Sequence, residues 1–454
     1  MAIKGWPYAT LEELKKDLVE NDVTMPFSEN MEVLRQPLTV GSKTIPNRLA
    51  MQPMEGCDGT HEDGTPGPLA VRRYERFAAG GPGLIWFEAT AIVREGRANP
   101  HQMMISRANL DEYKRLIASW KEICMKENGY EPVIIMQATH SGRYSKPDGV
   151  AAPLVAYLNP LYEKNKPLDA SRVVTDDYLK MLEEKYGEAA ALAEEAGFDG
   201  VDIKACHRYL MSELLSAYTR PGEYGGPYEN RTRLFRNAIA AAKAAVSSDM
   251  LVTSRMNIYD GFEFPYGWGV APGDGIHPHM EEPIRLVRQM NEEWGIPLID
   301  ITIGNPYANP HVNRPYQNGA YVPPESPFVG VERANDLIGQ VKAAVPNMKI
   351  IASAVSYMKE YAANLAAGTV ESGRADMVGF GRMGFAYPDF AKDILTKGAL
   401  DPKRVCIACS KCTELMRSGS TPGCVIRDSE VYMPLYRENV LNNEKDVRHM
   451  VSNV

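Results

Sequence analysis

From residue 48 to residue 385 the chain repeats one pattern: a short β-branched or apolar run, a turn rich in Gly, Pro or Asn, and a longer stretch carrying Ala, Glu, Leu and Lys at helical spacing. The apolar runs occupy 48–52, 83–89, 132–137, 199–203, 250–255, 297–302, 348–354 and 375–380, which makes eight. Helices are predicted after most of them, for example over 175–196, 230–246, 281–293 and 331–344. Eight alternating βα units predict a closed α/β architecture, the (β/α)8 TIM barrel, because an open sheet has no reason to stop at eight. In that fold chemistry sits at the C-terminal ends of the strands. Three of the following loops, 139–174, 257–280 and 305–330, are longer than plain connectors and read as lids or binding loops. Tyr259, Phe262, Phe264, Tyr266 and Trp268 crowd the second, and Tyr307, Tyr316 and Tyr321 mark the third, so an aromatic-walled pocket is expected alongside simple lid packing.

Composition narrows the function classes. The net charge of −8 is spread along 454 residues with no basic run, which argues against nucleic acid and anionic membrane surfaces as partners. No apolar stretch approaches the roughly 20 residues of a membrane span, and the N-terminus is charged without a signal-peptide core. A cytoplasmic location is expected. Cys57, Cys124 and Cys206 are scattered singly, as in a reducing compartment. The oligomeric state is left open, a homo-oligomer included.

The other four cysteines, Cys406, Cys409, Cys412 and Cys424, are spaced C-x2-C-x2-C-x11-C. Three thiolates at three-residue intervals plus a fourth from a short return suit a 4Fe-4S cluster. A zinc knuckle is the rival, but it more often uses two separated C-x2-C pairs or histidine, and none lies near. Gly379-Phe-Gly-Arg-Met-Gly384 matches G-x-G-x-x-G, yet no further strand with an acidic residue follows, so a Rossmann reading fails. After an eighth barrel strand the same glycines instead suit a phosphate, with Arg382 adding charge. A phosphate-ended cofactor able to exchange electrons with an iron–sulfur cluster is most simply FMN.

Pro46-Asn-Arg-Leu-Ala-Met-Gln-Pro-Met54, Glu88-Ala-Thr90, Gln137-Ala-Thr-His-Ser-Gly-Arg143, Gly197-Phe-Asp-Gly-Val-Asp-Ile203, Tyr209-Leu210, Tyr224-Gly-Gly226, Glu229-Asn-Arg231 and Gly381-Arg382 together resemble the Old Yellow Enzyme family. With the cysteine set, the likeness is to its iron–sulfur branch, that of the N-terminal half of bacterial 2,4-dienoyl-CoA reductases and of trimethylamine dehydrogenase. The resemblance implies three segments: an FMN-binding barrel over 1–400, a cluster segment over 401–428 and a tail over 429–454. It implies that Pro53, Met54 and Ala89 lie against the flavin ring, Gln137 reads its pyrimidine edge, Arg255 sits beside N1, and Ala354, Gly381 and Arg382 hold the phosphate. Tyr209 matches the tyrosine that protonates the substrate carbon. Lys204 and His207 stand where relatives use a His/His or His/Asn pair to bind the carbonyl oxygen, so a lysine there is a departure.

Glu55 is a second departure, standing where relatives often carry Thr or Cys near the flavin. In the loop after the sixth strand, Gly304-Asn-Pro-Tyr307 and the more distant His311 leave His207 as the histidine for the dienoyl-CoA reductase role. Cys57 does not match a covalent flavin attachment, and His277-Pro-His279 reads as part of a lid.

The expected function is an FMN- and 4Fe-4S-dependent ene-reductase acting on an enone, enoate or enoyl thioester. Its hydride would come from FMN N5 and its proton from Tyr209. Full-length relatives continue into FAD- and NAD(P)H-binding domains after the cluster, so ferredoxin or a separate flavoprotein is the expected donor, with NAD(P)H as direct or indirect source. Amine oxidation with electrons leaving through the cluster, and a noncatalytic electron-transfer subunit, are the alternatives.

Overall fold

A computed structural model of the chain describes residues 6–317, 319 and 321–442. A short antiparallel hairpin, β1 (Leu38–Val40) and β2 (Lys43–Ile45), precedes eight parallel strands. These are β3 (Leu49–Met51), β4 (Leu84–Ala91), β5 (Val133–Thr139), β6 (Gly200–Ile203), β7 (Leu251–Asn257), β8 (Leu298–Thr302), β9 (Lys349–Ala352) and β10 (Met377–Phe380). They close in the order β10-β3-β4-β5-β6-β7-β8-β9, so the chain is a (β/α)8 barrel and each predicted run is one of its strands.

Side chains on a strand alternate between the two faces, and here the inward face changes character along its length. At the N-terminal end Ala50, Leu84, Trp86, Val133, Ile135, Leu251, Leu298, Ile351 and Met377 form one buried cluster with Leu38, Val40 and Ile45 of the hairpin. The hairpin therefore corks that end of the barrel, each large apolar side chain contributing about 1.5–3 kcal/mol by leaving water. Two residues further along the same faces Ala50 gives way to Gln52, Ile135 to Gln137 and Leu298 to Asp300, all buried. The polar half of the interior is thus the end at which a site belongs.

The helices sit outside. Asp176–Glu195 begins at Thr175, whose hydroxyl accepts from the Tyr178 amide, and carries Asp176 and Asp177 in its first turn, where the helix dipole favours negative charge. The helix predicted over 230–246 is two, Tyr228–Arg231 and Arg233–Ala245. Thr232 divides them by donating its hydroxyl back to the Tyr228 carbonyl at 2.9 Å, an alternative partner for helical backbone.

After the barrel, helix Lys411–Arg417 follows Cys406 and Cys409, and helix Ser429–Tyr436 begins the tail. Leu415, Val425, Tyr432, Tyr436 and Val440 form a small separate core, so the described part of the tail packs on the cysteine segment. Arg72 and Arg76, on helix Pro68–Ala79, both reach Asp428, at 2.8 and 2.5 Å, and tie that segment to the barrel. Among the described residues no helix is long and apolar enough to cross a membrane.

Candidate active site

A cavity of about 1050 Å³, open at its mouth, lies at the C-terminal ends of the strands. Pro53, Met54 and Glu55 after β3, Gln137 on β5, Lys204, His207 and Tyr209 after β6, Arg255 on β7, Ala354 after β9, and Gly381 and Arg382 after β10 all line it. Of the residues expected at the flavin, only Ala89 is not in its lining. Pairing of β4 with β5 shifts register between Phe87 and Ala89, and the bulge turns Glu88 outward onto Arg73, 2.9 Å away. Ala89 is fully buried there, its carbonyl accepting from Gln102 Nε2 at 3.2 Å.

The turn after β6 is unusual. His207 and Arg208 take left-handed φ values of 63° and 58°, which cost free energy in residues bearing a Cβ and persist only where surroundings hold them. Arg208 supplies the hold: its buried guanidinium donates to Asp260 Oδ2 at 2.8 Å, to the Tyr157 hydroxyl at 3.0 Å and to the Ser216 hydroxyl. The turn delivers Tyr209 to the cavity at the start of helix Leu210–Leu215.

Tyr209 donates its hydroxyl to Glu55 Oε1 at 2.7 Å and stands 2.8 Å from the Tyr307 hydroxyl. Lys204 Nζ lies 3.2 Å from the same Glu55 oxygen and 3.8 Å from the centre of the Tyr209 ring, a salt bridge and a cation–π contact at once. Burial, with Glu55 and Tyr307 beside it, pushes the Tyr209 phenol well above its ordinary 10, so it keeps its proton at physiological pH. Burial, reinforced by Arg255 and Lys204, holds the His207 imidazole well below 6.5 and therefore neutral. The site thus contains a neutral phenol and a neutral imidazole next to fixed cations. His311, the other histidine considered, meets the Tyr321 hydroxyl and lies outside the cavity lining.

Beneath them runs a charged layer. Arg255 Nε is 2.9 Å from Asp300 Oδ2, and Gln52 Nε2 donates to Asp300 Oδ1 at 3.0 Å. Asp202 accepts from Trp86 Nε1 at 2.8 Å, from Gln137 Nε2 at 2.6 Å and from the Arg255 amide at 2.7 Å, fixing the orientation of Gln137. Burial raises Asp202 to about 7 and Asp300 to about 6.

Three buried polar atoms of the lining residues, Gln52 Oε1, His207 Nε2 and Arg382 Nη1, have no partner among the described residues. Buried polar groups are normally satisfied, so three orphans around one cavity mark it as a ligand site. At one end Ser353, Ala354, Ser356, Gly381 and Arg382 gather. A Cβ on Gly379 would overlap the Gln52 amide and one on Gly381 would press on Met54 at 3.3 Å, so the glycines keep the floor open. A flat polar ring over Gln137 and Arg255 with a phosphate at Arg382 fits these residues.

Cys406, Cys409, Cys412 and Cys424 together line a smaller cavity with Arg382 and Phe385. Cys412, Arg382 and Phe385 also line the large one, so the two share a wall. Backbone amides of Ala408 and Arg427 point at Cys406 Sγ and Cys424 Sγ, 3.4 and 3.3 Å away. Among the described residues no three His, Cys, Asp or Glu side chains converge closely enough to hold a single metal ion.

An outer cavity of about 1610 Å³ adjoins the site, with Glu55, Tyr307 and Met416 lining both. The Tyr307 hydroxyl is the functional group that sequence reasoning missed: Tyr307 was readable as a lid aromatic, but its contact with Tyr209 across 98 residues was not. The Gly304-Asn-Pro-Tyr307 run, which opens the long loop after β8, was the available signal.

The NADH:flavin oxidoreductase / NADH oxidase family matches residues 33–268. An NADPH dehydrogenase of Halalkalibacterium halodurans is 33% identical over 263 residues, 58% of this chain and 70% of that protein. An NADH oxidase of Thermoanaerobacter brockii is 27% identical over 379 residues, 82% of this chain and 52% of that one. Among solved structures, a 2-naphthoyl-CoA reductase in complex with 2-naphthoyl-CoA superposes with a TM-score of 0.70 at 20% identity, over 87% of this chain and 57% of its own. The old yellow enzyme homologue from Zymomonas mobilis superposes at 0.59 with 24% identity, over 81% and 94%. The chain spans little more than half the length of the NADH oxidase and of the naphthoyl-CoA reductase.

Proposed function

Because the chain belongs to the NADH:flavin oxidoreductase / NADH oxidase family, that of Old Yellow Enzyme, and is therefore a flavin oxidoreductase that uses FMN, we propose that it is an iron–sulfur ene-reductase of activated C=C bonds. Pro53, Met54, Gln137, Arg255, Ala354, Gly381 and Arg382 would hold FMN, and Cys406, Cys409, Cys412 and Cys424 a 4Fe-4S cluster. When bound, these groups supply two-electron and one-electron chemistry respectively. Four cysteines lining one cavity, with amides directed at two of the sulfurs, support the cluster.

One observation carries the reading: the Tyr209 hydroxyl and the unpartnered His207 Nε2 line the same cavity as Gln137 and Arg255. In its Nε2–H tautomer His207 donates to the oxygen of the activating group, and Lys204 adds positive charge as an enolate develops. Tyr209 then gives its proton to the α-carbon. Tyr144 stacks on Tyr307, ring centres 3.9 Å apart, and steadies that wall of the site.

We further assign one-electron loading to ferredoxin or a separate flavoprotein, NAD(P)H being the ultimate source, in a reducing cytoplasm that keeps Cys57, Cys124 and Cys206 as free thiols. An anaerobic panel of enones, enoates, enoyl thioesters and amines tests the chemistry: reoxidation of reduced flavin by alkenes is expected. A second reading, amine oxidation, is favoured by the Glu55 carboxylate among the Tyr209 and Tyr307 rings, a setting suited to an ammonium group. Bleaching of the oxidised flavin by amines, with no response to alkenes, would establish it instead. Rapid NAD(P)H reduction undiminished by loss of the cluster cysteines would contradict the electron route.

A further inference from the structure

We propose that Tyr307 is a proton-relay residue that refills Tyr209 from the outer cavity after each turnover; this rests on the ene-reductase reading. Tyr209 is only 2% exposed and lines the inner cavity alone, whereas Tyr307 is partly exposed and lines both. A buried acid that gives up its proton needs a path to water, and both groups at the Tyr209 hydroxyl, Glu55 and Tyr307, line the outer cavity. Glu55 is an acceptor already paired with Lys204, so Tyr307 is the one with a proton to give. The direction of donation follows from counting protons. Tyr209 has one, and the Glu55 carboxylate 2.7 Å away takes it in hydrogen bonding. The contact with Tyr307 is therefore filled by the Tyr307 proton, aimed at the Tyr209 oxygen.

Asn305 holds the relay in place. Its Oδ1 accepts from the Tyr307 amide at 2.9 Å and its Nδ2 donates to the Tyr144 hydroxyl at 3.0 Å, while Tyr144 stacks on the Tyr307 ring at an interplanar angle of 23°. Backbone and ring are both pinned, leaving hydroxyl rotation as the motion required. The transfer balances without electrons changing hands. The Tyr209 O–H bond breaks as C–H forms at the substrate α-carbon, and the resulting phenolate is stabilised by Lys204 above its ring. The Tyr307 O–H bond then breaks as that of Tyr209 re-forms. A water of the outer cavity reprotonates Tyr307, its hydroxide passing to solvent.

Tyr307→Phe in the holoenzyme tests the relay, because it deletes the hydroxyl and keeps the ring stack. With pre-reduced enzyme and an alkene that wild type reduces, the first turnover should stay within about twofold of wild type, since Tyr209 starts with its proton. Steady-state turnover should fall about tenfold or more, and a small diffusible acid such as imidazole should restore part of it. Without any turnover, the ζ-carbon resonance of Tyr209 in 13C-tyrosine protein should shift as it loses a hydrogen bond. Unchanged steady-state turnover, an equal loss in the first turnover without imidazole rescue, or an unmoved Tyr209 resonance overturns the relay while leaving the ene-reductase reading intact. Failure of wild type to reduce any alkene overturns both.

Discussion

Replacing Tyr209 by Phe separates chemistry from architecture more cleanly than any other change in this site. The ring stays, and with it the Lys204 contact at 3.8 Å and the packing against Tyr144 at 5.8 Å. What is lost is one oxygen, with its 2.7 Å bond to Glu55 and its 2.8 Å contact with Tyr307. Net worth is about 1 kcal/mol for a bond between phenols and about 1.5–3 kcal/mol for one to a charged carboxylate, and Glu55 keeps Lys204 at 3.2 Å, so stability should fall by about 2–4 kcal/mol. Loss of a general acid costs about 10²–10⁴ in rate, or about 2.7–5.4 kcal/mol of barrier at 1.36 kcal/mol per decade. Rate and fold therefore need separate readouts. Anaerobic stopped-flow spectroscopy resolves the two halves of the cycle: flavin reduction should proceed at the wild-type rate, while reoxidation by an alkene slows at least about 100-fold. A loss of less than about tenfold in reoxidation would mean that Tyr209 is not the acid.

Lys204→Met should destabilise the protein by about 3–5 kcal/mol in denaturant titrations, because it strands Glu55 beside two phenols, and Lys204→Met with Glu55→Gln should recover most of that; a double variant no better than the single one would refute the pairing. Cys412→Ser should lower bound iron in anaerobically purified protein and slow flavin reduction by a one-electron donor, with FMN content kept; unchanged iron would remove the cysteine from the ligand set. Asp202 carries a pH signature. Its carboxyl titrates at about 7 in the fold against an ordinary 3.8, so the folded state binds the extra proton and stability declines as pH rises from about 4 to about 7. Asp300, raised to about 6, and Glu88, raised to about 7, act in the same sense. Asp202→Asn should flatten that decline in urea titrations across the window, and an unaltered slope would refute the assignment.

The barrel was legible because each strand is a concentrated apolar run bounded by turn residues, and β3 to β10 fall within a residue or two of where those runs lie. The hairpin was not: β1 and β2 are three residues each, too short to show a period, and their meaning comes from the barrel interior they cover. Helix Leu11–Glu20 also went unread, although the reciprocal Thr10 and Glu13 capping contacts announce its start. At the site, residues at strand ends could be named from motif and position, and they converge. Ala89 does not join them, because a bulge cannot be seen in a run of buried residues. Glu55 was visible only as an oddity; that it binds both Lys204 and Tyr209 depends on contacts across 149 and 154 positions, which no local pattern encodes.

The hairpin has a kinetic consequence. A vessel stoppered at its base is entered from the opposite rim, so a nicotinamide reductant and an alkene substrate would have to take turns in one chamber. A donor passing electrons through the Cys412 partition would never join that queue, and its supply could continue while product is still leaving.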